Sequence, residues 1–71
     1  DRLREMVLAH SLQAELSARG CLTGAPDGKW GRLSRRALRA LIRSNPNLGD
    51  ATDPSDAALF RLLDAPNATC R

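Results

Sequence analysis

Few side chains in this 71-residue sequence are equipped for chemistry, and their numbers restrict what that chemistry can be. There is one histidine, His10, and there are two cysteines, Cys21 and Cys70. A structural zinc site takes four Cys or His ligands, so these residues do not close one. No Ser, Cys or carboxylate forms a recognisable nucleophile–base set with His10. His10 itself lies on the apolar side of the first periodic segment and reads as a packed or half-buried side chain. Asp53, Asp56 and Asp64 read as helix-capping and surface charges rather than a calcium loop. The expectation is a chain without catalytic residues, metal or cofactor. What the sequence does offer is binding chemistry: Arg32, Arg35, Arg36, Arg39 and Arg43 recur along one segment with no acid between them. Guanidinium forks pair with carboxylates and phosphates in two-point geometry.

The charge is concentrated there. The formal net charge is +3, yet residues 29–43 carry six basic side chains and no acidic one, while the flanking segments are mildly acidic. Such a stripe suits the carboxylates of a peptide or an acidic protein, or nucleic-acid phosphates, or is simply a solvated helix face. With one Trp, one Phe and no Tyr, the aromatic platform on which single-stranded bases stack is missing. The 42% hydrophobic content is enough for a core of Leu, Ala, Val, Ile and Met. A domain of this size draws only about 3–5 kcal/mol from its core, so a covalent staple helps, and the two cysteines are candidates. No run of apolar residues is long enough to span a bilayer. The first residue is Asp1, not Met, which leads to the expectation of a processed product or part of a longer chain.

Three apolar-periodic segments must position these residues. The first, about 2–19, shows two apolar faces, one of Leu3, Val7, His10 and Ala14 and one of Leu8, Leu12 and Leu16. Gly20 is placed to stop it. A loop over 21–31 follows, with three glycines, a proline and the turn dipeptide Asp27-Gly28. The second helix, about 32–44, gathers Trp30, Leu33, Ala37 and Leu41 on one side and the five arginines on the other. Asn45-Pro46 ends it. After a second loop to Asp53, a third helix is expected over 54–64. Asp53 is its expected N-cap, Pro54 its first residue, and Leu59, Leu62, Leu63 and Phe60 its buried side chains. The fold class is all-α, one three-helix domain over 1–71.

The ordered string Leu12-Gln13-x-x-Leu16, Gly20, Gly24, Asp27-Gly28-x-Trp30-Gly31, Ser34-x-x-Ala37-Leu38 resembles the peptidoglycan-binding-domain family of small three-helix modules. The resemblance covers roughly residues 9–63. The motif also has physical sense. Gly28 suits a turn needing positive φ, Trp30 can drop onto the core, and Gly31 permits close backbone approach. Ser34 can serve first-turn N–H groups, and Gln13 can hydrogen-bond the loop backbone. Departures from the family pattern are Arg19 before the glycine, Cys21 after it, and Leu41 where a Phe is usual. The resemblance to a disulfide-containing branch of the family implies that Cys21 pairs with Cys70, which favours an oxidising compartment, periplasmic or extracellular in a bacterium.

It further implies a non-catalytic cell-wall module that positions a larger chain. Asp27, Gly28, Trp30, Gly31 and Ser34 would shape a ligand groove, and Arg32 and Arg35 would supply charge. The alternative is a protein-docking module of the same fold that meets a partner through Arg32, Arg35, Arg36, Arg39 and Arg43 and binds no glycan. A three-helix domain with a basic helix also describes helix-turn-helix proteins. The eleven residues between the first two helices and the expected disulfide weigh against nucleic acid.

Overall fold

The computed structural model describes residues 2–49 and 53–70; positions 50–52 of the second loop lie outside the described residues. The chain is all-helical: α1 (Arg2–Ala18), α2 (Arg32–Ser44), a 3₁₀ turn (Pro46–Leu48) and α3 (Asp56–Leu63). Cys21 and Cys70 form a disulfide.

Of the two apolar faces of α1, the structure buries the one carrying Leu12 and Leu16, together with Ala9 and Gln13. Leu3, Met6 and Val7 face outward. His10 is exposed as well, contrary to the packed position expected from the pattern. A helix on the outside of a small bundle has neighbours on one side only, so a second apolar face stays in solvent. α1 ends in a Schellman motif. Gly20 has φ 77°, its N–H donates to the Ser17 carbonyl at 3.1 Å, and Cys21 N–H donates to the Leu16 carbonyl at 2.8 Å.

The inward face of α2 is Ser34, Ala37, Leu38 and Leu41. Leu33, expected in the core, is 64% exposed. The core-facing direction is set by the 34–37–38–41 row, which turns Leu33 roughly a quarter of the way round the helix. Asn45 closes α2: its N–H donates to the Leu41 and Ile42 carbonyls, and its side-chain amide to Leu41 O and Thr69 O. Pro46 then starts the 3₁₀ turn, which places Leu48 in the core.

α3 begins two residues later than the sequence suggests. The N-cap is Ser55, not Asp53, and the Ser55 hydroxyl accepts from Ala58 N–H at 3.1 Å. The hydroxyl reaches the third helical N–H, which leaves Asp56 in the first turn, where its charge suits the helix dipole, and Pro54 outside the helix. With only eight residues, α3 presents a narrow stripe of Ala58 and Leu62 to the core. Leu59 is half-buried, whereas Phe60 and Leu63, also expected inside, are mostly exposed. Leu12, Leu16, Leu41 and Leu62 form the fully buried centre, one or two from each helix.

Residues 64–70 fold back across the end of α1, and Arg19 is what receives them. Its side chain is 7% exposed. Nη1 donates to Ala65 O at 2.6 Å and Ala68 O at 2.9 Å, and Nη2 donates to Leu62 O at 2.7 Å. Glu15 Oε1 accepts from the same guanidinium at 3.0 and 3.3 Å. Cys70 N–H donates to the Arg19 carbonyl at 3.2 Å, beside the disulfide. A cation thus serves carbonyls at the negative end of α3 and in the tail that follows it. Sequence reasoning noticed Arg19 only as a departure at an otherwise apolar position. That departure was the available signal, since a charged residue replacing an apolar one at a packed position needs partners.

Candidate functional site

The long loop between α1 and α2 is organised by one side chain from α1. Gln13, 2% exposed, accepts on Oε1 from the N–H groups of Asp27 (3.0 Å) and Gly28 (2.8 Å). Its Nε2 donates to Lys29 O at 2.8 Å, Ser34 Oγ at 2.9 Å and Asp27 Oδ1 at 3.1 Å. Asp27 Oδ1 also accepts Lys29 N–H at 2.9 Å, a local turn of the type Asp favours. Gly28 has φ 77°, and a Cβ built there would stand 3.4 Å from the Met6 carbonyl oxygen. The conformation, more than the space, requires glycine.

The expected hydrogen bond from Gln13 to the loop is therefore present, but two neighbouring roles differ. Ser34 does not cap the first turn of α2. Its hydroxyl faces Gln13, and the N-cap is Gly31, which provides no side-chain cap. Nor does Gly31 permit a close approach: no atom outside its chain neighbours lies within 4 Å of a Cβ built on it. Its φ of −123° is open to any residue. Replacing Gln13 with Ala strips partners from two loop N–H groups, the Lys29 carbonyl and a buried hydroxyl. It is expected to destabilise the domain by about 2–3 kcal/mol, read from urea-denaturation midpoints.

The Asp27 carboxyl titrates below its ordinary value of 3.8, chiefly because it accepts the Lys29 N–H and then because of the Gln13 amide. The carboxylate is the bonded form, and only in the folded chain. Its contribution is complete above the unfolded value and is lost as pH falls through the depressed folded value. As pH falls below the ordinary carboxylate value, the thermal midpoint of the native chain should therefore drop more steeply than that of Asp27→Asn.

On the outer side of this loop lies an open groove of about 370 Å³ between residues 22–32 and the first turn of α2. Leu22, Trp30 and Leu33 contribute apolar surface to it, and Lys29 and Arg32 contribute charge. Trp30 is half-buried and packs on the core beneath. Of the residues expected to form a ligand groove, Asp27, Trp30, Gly31, Arg32 and Ser34 do line it. Asp27 and Ser34 are engaged mainly in framing the loop. Gly28 does not line it and faces the side of Met6 and Ala9. Arg35 does not line it either. It belongs to an adjoining depression of about 300 Å³ enclosed by Arg32, Arg35, Arg36 and Arg39. Arg32 borders both, so the predicted site divides into a groove and an arginine face that meet at one residue.

All five arginines of that face are exposed, and among the described residues none of them forms an ion pair. Among the described residues no group of three or more His, Cys, Asp and Glu could hold a metal ion, and no helix is long and apolar enough to cross a membrane. Comparison of the chain with family models, with curated proteins and with solved structures finds no match.

Proposed function

We propose that this chain is a non-catalytic binding module that takes peptidoglycan in the groove between the 21–31 loop and α2, and so holds a larger protein at a bacterial cell wall. The observation that carries this reading is the framed loop. Gln13 fixes residues 27–29 through four hydrogen bonds and ties them to Ser34 of α2 through a fifth, so Trp30, Lys29 and Arg32 border one groove on a rigid support. A half-exposed indole offers a face to a sugar ring, and two cations at the rim suit the carboxylates of stem peptides. The resemblance to the peptidoglycan-binding-domain family rests on the same residues. The Cys21–Cys70 disulfide supports a periplasmic or extracellular setting.

The test is retention of the oxidised 71-residue chain on purified, insoluble peptidoglycan sacculi at about 20 and about 150 mM salt, which separates specific contact from screened attraction. Retention at both salts, lost in Trp30→Leu with an unchanged circular-dichroism spectrum and kept in Arg39→Glu/Arg43→Glu, is the expected result. Because Trp30 is the sole tryptophan, soluble muropeptide fragments should also shift its emission. A chain that is not retained at either salt overturns the wall-binding reading.

A further inference from the structure

Apart from Arg43, whose charge in the last turn suits the helix dipole, the arginine face of α2 does not serve the stability of the helix that carries it. Arg32 and Arg35 sit in the first turn, where the N-terminal end of the helix dipole disfavours cations, and that turn holds no acid. The pairs 32/36, 35/39 and 39/43 are like charges one turn apart, each mildly destabilising. Local rules broken at Arg32, Arg35, Arg36 and Arg39 with no ion pair among the described residues to offset them point to a partner outside the fold.

The spacing indicates what kind of partner. Arg32, Arg36, Arg39 and Arg43 follow steps of four, three and four residues, so they form a straight stripe, about 16 Å long at 1.5 Å per residue. Steps of four and three are the register of a helix–helix seam. A flexible polyanion has no need of them. Directly beside Arg36 lies a notch of about 370 Å³ lined by Leu22, Leu33, Ala37 and Ala40. The exposed Leu33 stands at its edge.

We infer that this face docks an amphipathic α-helix of a partner protein. Its carboxylates, spaced by four, three and four residues, would pair with Arg32, Arg36, Arg39 and Arg43, and an adjacent apolar side chain would enter the notch at Leu33 and Ala40. The surface adjoins the wall-binding groove and shares Leu22, Arg32 and Leu33 with it, but the inference does not depend on that groove binding peptidoglycan.

The experiment is calorimetric titration of the oxidised 71-residue chain with three synthetic helical peptides. The first carries Glu at positions i, i+4, i+7 and i+11 with a Leu on one flank. The second has the same composition in permuted order. The third has Lys in place of Glu. The matched peptide should bind at least about tenfold more tightly than the permuted one, the order expected for several exposed ion pairs held in one register. Arg36→Glu/Arg39→Glu, checked for an unchanged thermal midpoint, should lose the Glu peptide and gain the Lys peptide, while Leu33→Ser should weaken the matched peptide alone. Equal affinity for matched and permuted peptides, or no binding of either, overturns the inference. So does tighter binding of a 12-nucleotide single-stranded DNA or of anionic phosphatidylglycerol vesicles than of the matched peptide, since that would make the face a general polyanion surface.

Discussion

Arg19→Ala is expected to destabilise the domain by about 3–5 kcal/mol, the range seen when one partner of a buried charged network is removed. The substitution deletes the donor to Leu62 O, Ala65 O and Ala68 O and leaves Glu15 without its cation. Leu62 O and Ala65 O keep the N–H groups of Ala65 and Ala68, but each loses its second donor, and with Ala68 O they then face a cavity the size of a guanidinium. Arg19→Lys should recover only part of the loss. An ammonium carries the charge but does not reach three carbonyls and a carboxylate with the geometry of a planar fork. Glu15→Gln should cost far less, because Glu15 is a third exposed and its amide oxygen can still accept. Urea-denaturation midpoints of the four proteins at neutral pH check the order native, Glu15→Gln, Arg19→Lys, Arg19→Ala. An Arg19→Ala chain as stable as the native one would show that the tail is held without the guanidinium.

Reduction of the disulfide, or Cys21→Ser/Cys70→Ser, should have an effect of the same size. The bridge joins positions 49 residues apart, and a closed loop of that length is worth about 4 kcal/mol on the chain-entropy account. A core of this size contributes a comparable amount, so the reduced chain should stay folded at room temperature with about half the stability of the oxidised one. Thermal midpoints with and without reductant should differ by roughly 15–30 °C for a domain of this length. The two losses should not add. Arg19 and the disulfide both hold residues 64–70 against the end of α1, and once the tail is released by reduction the guanidinium has fewer carbonyls to serve. The Arg19→Ala penalty should accordingly shrink in the reduced protein, and a double-mutant cycle measures by how much. Full additivity would mean that the tail stays in place on Arg19 alone.

Several features of this fold were legible in the sequence. The three helices follow from apolar periodicity bounded by Gly20, Asn45-Pro46 and a proline before the third segment. The left-handed turn at Gly28 follows from Asp27-Gly28, and the role of Gln13 from its place as an amide on an apolar helix. The stripe of arginines was equally plain, because a charged face needs only its own helix to be defined. Each of these is a local property, fixed by backbone preference or by the 3.6-residue repeat.

The remainder needed contacts between distant parts of the chain. Periodicity gave α1 two apolar faces, and only the positions of α2 and α3 decided that the face of Leu12 and Leu16 is inside and that Leu3, Val7 and His10 are out. Leu33 lost its expected burial and Ser34 its expected capping role for the same reason: a rotation of α2 set by Leu38 and Leu41 turned one into solvent and the other onto Gln13. α3 could start at Asp53 or Ser55 on capping preference alone, and Ser55 is the residue whose hydroxyl reaches an open N–H. Arg19 is the plainest case. Its own helix marks it as a charged end residue, whereas its partners are carbonyls 43, 46 and 49 residues along the chain. A buried cation is tolerable only where such partners converge, and their convergence is a property of the tertiary structure.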